Sequence, residues 1–407
     1  MGSFDYDVVI VGAGPAGCEC ARQLASHGVK TALVEKVSDF KQNNFSSAGT
    51  PLETLFEFNL PESVVGSWWN EIKVVSTHAA GEWRAPKPLG VVMDFARLRS
   101  HLAETARKNG CEVLMGYRFA EFQSLGGQTL VRIEGTGQAP LSLHTKVLVD
   151  ATGPHRSVLG KLTRGNRPYA QAVGLEYLIQ TDPDSVPANQ LQFLLGYRWV
   201  PQSGYGWVFP MERGTYKVGI GCLTPIKAEG GEGSLKKFLE RILNVYLKLP
   251  SHRVLHQHGG FFKYTVGQRD TYYHQNVIGI GDSVSSVNPL GAEGIRHGMH
   301  SARIAAKHIL KFLAKKAADF SGYEREAKRY FGLRWRLSEI FAAAVYTRLS
   351  DRWIDAGLRI AAHLSAEDIM DILFRYKFIK TLKLFRYGGP KLLKALPSLS
   401  FPSAIRK

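Results

Sequence analysis

A chain of 407 residues is long enough for two or three domains that share a core. Its hydrophobic fraction of 44% and charged fraction of 21% are those of an ordinary folded globular protein. The formal net charge of +17 draws anionic partners. No nucleic-acid motif accompanies it, so anionic lipid or an anionic substrate is favoured over nucleic acid. The four cysteines, Cys18, Cys20, Cys111 and Cys222, have neither framework nor metal-ligand spacing, which fits a reducing compartment and speaks against a disulfide scaffold.

The segment from Met1 to Val11 enters a strand almost at once. No signal or transit peptide is expected there, and Tyr6 breaks the myristoylation pattern. A cytoplasmic placement is expected, with peripheral membrane contact as an option. Asp7 to Val11 reads as a buried parallel strand, followed by Gly12-Ala13-Gly14-Pro15-Ala16-Gly17 and a helix to about His27. Gly28 ends that helix, and Lys30 to Glu35 is a second strand. The unit spans about 30 residues, as a βαβ nucleotide-binding unit does. A helix is expected from Phe95 to Asn109, then strands from Glu112, over Thr129–Ile133 and over Ser142–Val149. Gly174 to Cys222 is rich in strands and aromatics, with turns expected at Gly196, Gly204 and Gly214. Leu235 to Leu247 reads as helix. Nucleotide-fold character returns at Asn276–Asp282, and the chain is helical and basic from about Ala318. The apolar run Ile340–Tyr346 is far too short to span a membrane.

The glycine loop carries the first chemistry. Gly12 permits a tight turn, Gly14 lets backbone approach a diphosphate, and Gly17 lets helix pack on strand. The helix N-terminus offers free N–H groups to the negative charge. Pro15 and Ala16 belong to the same loop. Glu35 ends the second strand, where an acid accepts from ribose hydroxyls, and Lys36 follows it. The second motif is Asn276 to Arg303. Gly281-Asp282 places a carboxylate for a ribitol hydroxyl. Pro289, Gly291, Ala292, Gly294 and Ile295 allow a planar ring to come close, and a helix N-terminus there would stabilise a reduced flavin. The pair His256 and His258 has no nearby acid, so no metal site is expected.

The second motif resembles that of the p-hydroxybenzoate-hydroxylase-like FAD proteins. The resemblance implies FAD as cofactor, NADPH or NADH as transient reductant, and Phe119 among the cofactor contacts. A third family motif appears altered, as Ala151-Thr152-Gly153 with Ser157. The family's flavin-contacting arginine falls at Phe95; Arg97 or Arg99 stands in for it, or both lie on a solvated helix face. The stretch Gly204-Tyr205-Gly206-Trp207-Val208-Phe209-Pro210 with Gly219 resembles the signature of the geranylgeranyl reductase family, as does Asp371-Ile372-Leu373 with Tyr376-Lys377. The likeness runs over nearly the whole chain. It implies that Tyr205, Trp207 and Phe209 line a cavity for an isoprenoid chain; the alternative is an aromatic cluster in a sheet core. Flavin halogenases carry a related motif. Many family members have a Cys-Gly-Gly loop where this chain has Gln42 to Gly49 without cysteine, and divergence in substrate is expected there.

The expected fold class is α/β. A discontinuous Rossmann-type FAD-binding domain (1–75, 95–165 and 270–317) is joined by an antiparallel-sheet substrate domain (76–94 and 166–269) and a helical basic region (318–407). The expected activity is hydride transfer from NAD(P)H through FAD to carbon–carbon double bonds of an isoprenoid. A monooxygenase or halogenase, a non-redox isoprenoid cyclase and a non-catalytic lipid binder are the rivals. No side chain stands out as the acid; Tyr205 and His297 are the catalytic candidates, and Arg296 and His297 could touch flavin or an anionic substrate. A monomer is expected. The acid-free basic and apolar stretch from Arg375 to Lys407 is read as an anionic-membrane contact or as helices packed on the core.

Overall fold

The structure is a computed structural model, and it describes residues 5–162, 169–212, 214–227 and 234–384. The chain opens with β1 (Tyr6–Val11), α1 (Pro15–Ala25) and β2 (Thr31–Glu35). It continues through β3 (Gly49–Pro51), α2 (Glu53–Glu57), β4 (Val65–Trp69), β5 (Glu71–Val75), β6 (Ala80–Arg84), β7 (Gly90–Met93) and α3 (Phe95–Lys108). Then come β8 (Glu112–Met115), β9 (Tyr117–Leu125), β10 (Gln128–Gly135) and β11 (Leu141–Asp150). The next stretch holds β12 (Tyr169–Gln180), β13 (Gln190–Leu194), β14 (Gln202–Pro210), β15 (Thr215–Lys227), α4 (Leu235–Arg241) and β16 (Arg253–Thr265). Last are β17 (Tyr273–His274), β18 (Val277–Gly279), α5 (Ile295–Leu313), α6 (Ser321–Ala343), α7 (Asp351–Ala361) and α8 (Ala366–Leu373).

The first sheet runs in the order β17-β18-β11-β1-β2-β8, with β9 and β10 attached as a meander to β11. Its central strands are parallel, so both faces must be covered. That is why Val8, Val9, Ile10 and Val147, Leu148, Val149 are apolar without alternation, and all six are fully buried. Helices α1, α3 and α5 pack together to cover it. Gly28, with φ +73, closes α1 as a left-handed residue.

The second sheet has seven strands in the order β16-β12-β15-β14-β13-β5-β6 and is antiparallel except for the β13–β5 pair. It takes in Glu71–Val75, earlier in the chain than the expected residue 76. Gly90–Met93, expected in this sheet, instead pairs with β3 and β4 in a separate three-stranded sheet. Gly196 and Gly214 are turns with positive φ. Gly204 is not a turn. It lies inside β14 at a register shift, with Ser203 at φ 72, so the strand bulges and continues. The long edge strand β16, which carries His256 and His258, lacks clean alternation and was not legible as a strand. Ile340–Tyr346 forms the end of α6 and a π-turn. Among the described residues no helix is long and apolar enough to cross a membrane.

Candidate functional site

Strands β1, β2 and β11 end side by side at one edge of the parallel sheet, and the glycine loop leaves β1 there. Packing dictates two of its glycines. A Cβ on Gly12 would lie 2.4 Å from the Ala151 carbonyl oxygen, and one on Gly17 would lie 1.9 Å from that of Gly12. Gly14 differs: a Cβ there would meet nothing within 4 Å. The space over Gly14 at the start of α1 is open, as a bound diphosphate requires. Glu35 is buried and accepts from the Ala13 N–H at 2.8 Å and the Val37 N–H at 3.1 Å. It shapes the loop through these two bonds. Lys36 follows it at the exposed edge.

Asp150, which the sequence reading passed over, organises the neighbouring loop. Fully buried at the end of β11, it accepts from the Thr152 N–H and hydroxyl, the Ser283 hydroxyl, and the Val158 and Leu159 N–H groups. The Thr152 hydroxyl in turn accepts from the Ser157 N–H at 2.7 Å. The altered third motif is thus a closed hydrogen-bond cage, with the acid two residues earlier than expected. Its only sequence signal was an acid at a strand end before a glycine.

Asp282 lies past β18 and accepts from the Ser286 hydroxyl at 3.1 Å. Burial pushes its carboxyl up, with Ser286 and Arg156 opposing in part. Such a carboxylate has the capacity to accept from a further donor. Asn288 then turns the chain: its side-chain oxygen accepts from the Leu290 and Gly291 N–H groups just past Pro289. Residues Leu290 to Ile295 emerge as one wall of an apolar cavity that spans about 1090 Å³ together with its solvent-open mouth, and α5 begins at that wall.

The facing wall is β14. Tyr205, Trp207 and Phe209 alternate along it and so share one face, and all three line the cavity. Gly219 on β15 pairs with Trp207, and a Cβ there would lie 2.2 Å from the indole. The motif glycine is therefore the floor on which the tryptophan lies. The indole N–H donates to Glu176 at 2.8 Å. Burial raises the Glu176 carboxyl, opposed by Lys217 and Trp207. Lys217 is itself buried, which lowers its ammonium, and it donates to the Ser46 and Met93 carbonyls at 2.7 and 3.2 Å. The segment Ser46–Thr50 lines the cavity beside Phe209. Phe193 of β13 and Val345, Tyr346, Leu373, Phe374 and Tyr376 of the C-terminal region complete it.

Three tyrosines from distant parts of the chain grip the Leu290–Glu293 loop. Tyr205 donates to the Gly291 carbonyl at 3.2 Å, Tyr346 to that of Leu290 at 2.6 Å, and Tyr376 to the Glu293 carboxylate at 2.9 Å. The rings of Tyr205 and Tyr346 stack at 5.8 Å. Arg296 forks onto Glu293 at 2.8 and 2.9 Å and also reaches the Phe374 carbonyl. Burial alone would raise Glu293, but Arg296 and His297 hold its carboxyl far below the usual range. His297 is buried behind this loop, edge-on to Trp335 and 3.3 Å from the Tyr330 hydroxyl. It does not line the cavity. Burial pulls its imidazole down to about 4. Arg296 and His297 thus brace the site from inside the protein.

Other candidates lie elsewhere. Arg99 is buried on α3 between the Phe95 and Phe40 rings and donates to the Phe40 carbonyl at 2.6 Å. Arg97 is half exposed and pairs with Glu212. Phe119 sits in the meander against Phe122, under the Lys161 ammonium. None of the three lines the cavity. The four cysteines are free and buried, and no metal-binding cluster of His, Cys, Asp or Glu occurs among the described residues.

Comparison with known proteins places this geometry. The model of the FAD-dependent oxidoreductases matches residues 7–154, and that of tryptophan halogenase matches residues 92–342. The digeranylgeranylglycerophospholipid reductase of Haloferax volcanii is 30% identical over 339 residues, 79% of each chain. The digeranylgeranylglycerophospholipid reductase of Methanocaldococcus jannaschii is 25% identical over 97% of this chain and 98% of its own. Among solved structures, a geranylgeranyl bacteriochlorophyll reductase-like protein of Thermoplasma acidophilum superposes with a TM-score of 0.81 at 21% identity, covering 97% of this chain and 99% of that one. The halogenase match covers the shared flavoprotein fold, whereas the Haloferax volcanii relative is a reductase aligned over most of both chains. The chain belongs to the geranylgeranyl reductase family of FAD-dependent oxidoreductases.

Proposed function

We propose that this protein reduces carbon–carbon double bonds of a polyprenyl lipid, using NADPH or NADH to reduce FAD. The cavity between the Leu290–Ile295 loop and the Tyr205-Trp207-Phe209 face carries the reading, because it is mostly apolar and is bounded by the loop that would face the flavin. FAD, when bound, supplies a hydride carrier. The chain's own part is placement. The Gly12–Gly17 loop and the start of α1 would hold the diphosphate, Glu35 the ribose and Asp282 the ribitol, and the loop past Pro289 would border the ring. The aromatic wall then lays a polyene alongside and keeps bulk water out. The cavity's phenols are poor acids. Burial raises Tyr205, Tyr346 and Tyr376, and the last faces an ionised Glu293. Their hydroxyls are also committed to the Leu290–Glu293 loop, so no cavity side chain is assigned the proton transfer.

Anaerobic reduction by NADPH, followed by reoxidation with polyprenyl compounds, tests the proposal. Products heavier by two hydrogens per reduced bond are expected. Reoxidation by oxygen alone, with halogenated or hydroxylated products, would place the protein with the halogenases and monooxygenases of the same fold. Unchanged product mass would mark a cyclase.

We further propose peripheral contact with an anionic bilayer. Among the residues read from sequence as a membrane contact, the four basic ones that are described do not stand free. Arg375 pairs with Glu53, Glu367 and Asp371, Lys377 with Asp371, Lys380 with Asp368 and Asp371, and Lys383 with Asp368. Those acids lie before the acid-free stretch and neutralise its start. Support comes instead from the exposed Ile379 and Leu382 and from the net charge of +17. Arg386, Lys391, Lys394, Arg406 and Lys407 lie outside the described residues. Co-sedimentation with anionic liposomes at low salt, lost as salt rises, is the expected result.

A further inference from the structure

The cavity wall carries six side-chain hydroxyls: those of Ser46, Ser47, Thr50, Tyr205, Tyr346 and Tyr376. Four of them are committed to the protein. Tyr205 and Tyr346 donate to the carbonyls of Gly291 and Leu290, and Tyr376 to Glu293. Thr50 shares a hydrogen bond with Thr54 at 2.8 Å and reaches Glu293 at 3.3 Å. The Ser46 and Ser47 hydroxyls have no hydrogen-bond partner among the described residues, and both side chains are only half-buried.

These two serines are held in place by a buried charge. The Lys217 ammonium donates to the Ser46 carbonyl at 2.7 Å and reaches that of Ser47 at 3.5 Å. It also ties them to Met93 at the end of β7. Lys217 is only 6% exposed, and its charge is answered by Glu176, which holds the Trp207 indole N–H. Two buried groups, with no ion pair between them, therefore fix the aromatic wall and the backbone of the serine loop: Glu176 holds the indole and Lys217 the serine carbonyls. Burying a lysine is costly, and three carbonyl acceptors offset part of that cost, with Glu176 acting through space. Apolar sites gain orientation and specificity from a few fixed polar groups of this kind.

We infer that Ser46 and Ser47 form a hydroxyl pair that recognises an oxygen atom of the substrate, such as an alcohol, ether or ester oxygen, with Lys217 as the positioning residue. The inference rests on the polyprenyl reading and names its polar determinant. An oxygen-bearing isoprenoid is thereby selected over a hydrocarbon of equal length. The selection sits in the Gln42–Gly49 segment, which carries no cysteine.

The test is a binding measurement on the FAD-loaded protein. Geranylgeraniol and an oxygen-free isoprenoid hydrocarbon of the same length are titrated while the flavin absorbance is followed. The wild type should prefer the alcohol. The Ser46→Ala/Ser47→Ala variant should lose about tenfold in that preference, the scale of one or two hydrogen bonds. Lys217→Met paired with Glu176→Gln should shift the same ratio, since it removes the buried charges together and frees the loop. Equal affinity of the wild type for both probes, or failure to bind either, would overturn the inference. So would an unchanged preference in the serine variant, or loss of FAD from it, which would assign the hydroxyls to the cofactor. Turnover is scored separately: binding preference without alkene reduction would sink the reductase reading and leave the hydroxyl pair standing.

Discussion

A side chain at Gly14 has room in the protein, and would have none beside the proposed diphosphate, whereas one at Gly17 has no room at all. The two glycines of one motif therefore separate ligand binding from folding. Gly14→Val is expected to fold, with FAD affinity reduced at least tenfold on the scale of a blocked contact. FAD content by absorbance and melting of the FAD-free protein measure the two effects. Gly17→Val is expected to fail at folding itself, because its Cβ would meet backbone. Glu35 tests the ribose contact. Glu35→Ala should weaken FAD binding by about 1–3 kcal/mol. It also strips the Ala13 N–H of its acceptor, so a loss of stability in the FAD-free protein should accompany it. If neither changes, Glu35 holds neither loop nor ribose.

On the element scale β14 is the informative strand. Its alternation sends Tyr205, Trp207 and Phe209 to the cavity, while Val208 goes to the opposite side and is fully buried. Trp207 is 7% exposed and touches both Glu176 and the cavity, so its replacement tests two roles. Trp207→Phe keeps an apolar face but leaves buried Glu176 without its donor. A stability loss of about 1–3 kcal/mol in urea is expected, with FAD retained and turnover of a long polyprenyl substrate reduced. Loss of FAD instead would show that the strand supports the cofactor and not the cavity. Gly219→Ala should mimic the turnover defect, because its methyl would push the indole off the floor.

Across the whole molecule, the C-terminal region is bolted to the Leu290–Glu293 loop through Glu293. Arg296→Met removes the fork from a buried carboxylate and should cost about 3–5 kcal/mol, as breaking a buried pair does. Limited proteolysis should then cut near Phe374 faster than in the wild type. Two buried groups set opposite pH limits. His297 is pulled from 6.5 to about 4 by burial, so the unfolded chain binds more protons, and stability falls as pH drops below about 6.5. Glu339 is pushed from 4.5 to about 7, chiefly by burial, with the Gly267 N–H opposing. Its folded form binds more protons, so its contribution is lost as pH rises through about 7. Its second carboxylate oxygen has no partner among the described residues. Glu339→Gln should therefore melt higher than the wild type at about pH 8 and show less gain at about pH 5. A constant difference across that range would mean Glu339 does not titrate there.

What the sequence determined by itself was local. A glycine loop between a strand and a helix, an acid at the next strand end, and alternating aromatics before Phe209-Pro210 are patterns within a few residues, and spacing alone reveals them. The period of a strand put Tyr205, Trp207 and Phe209 on one face, and the family resemblance supplied the reading of that face as a cavity wall. The tertiary structure decided everything that depends on residues far apart. Glu176 and Lys217 carry no motif, and only the pairing of β12, β15 and β14 brings them under Trp207 and the serine loop. Tyr346 and Tyr376 lie more than fifty residues past the loop they grip, and only the return of the C-terminal helices over the sheet puts them there. His297 sits two residues past Ile295, yet the turn of α5 carries its side chain away from the cavity, behind the loop and against Trp335. The basic stretch after Arg375 looked free of acids because its partners lie on α2 and α8, at positions that no window on that stretch contains.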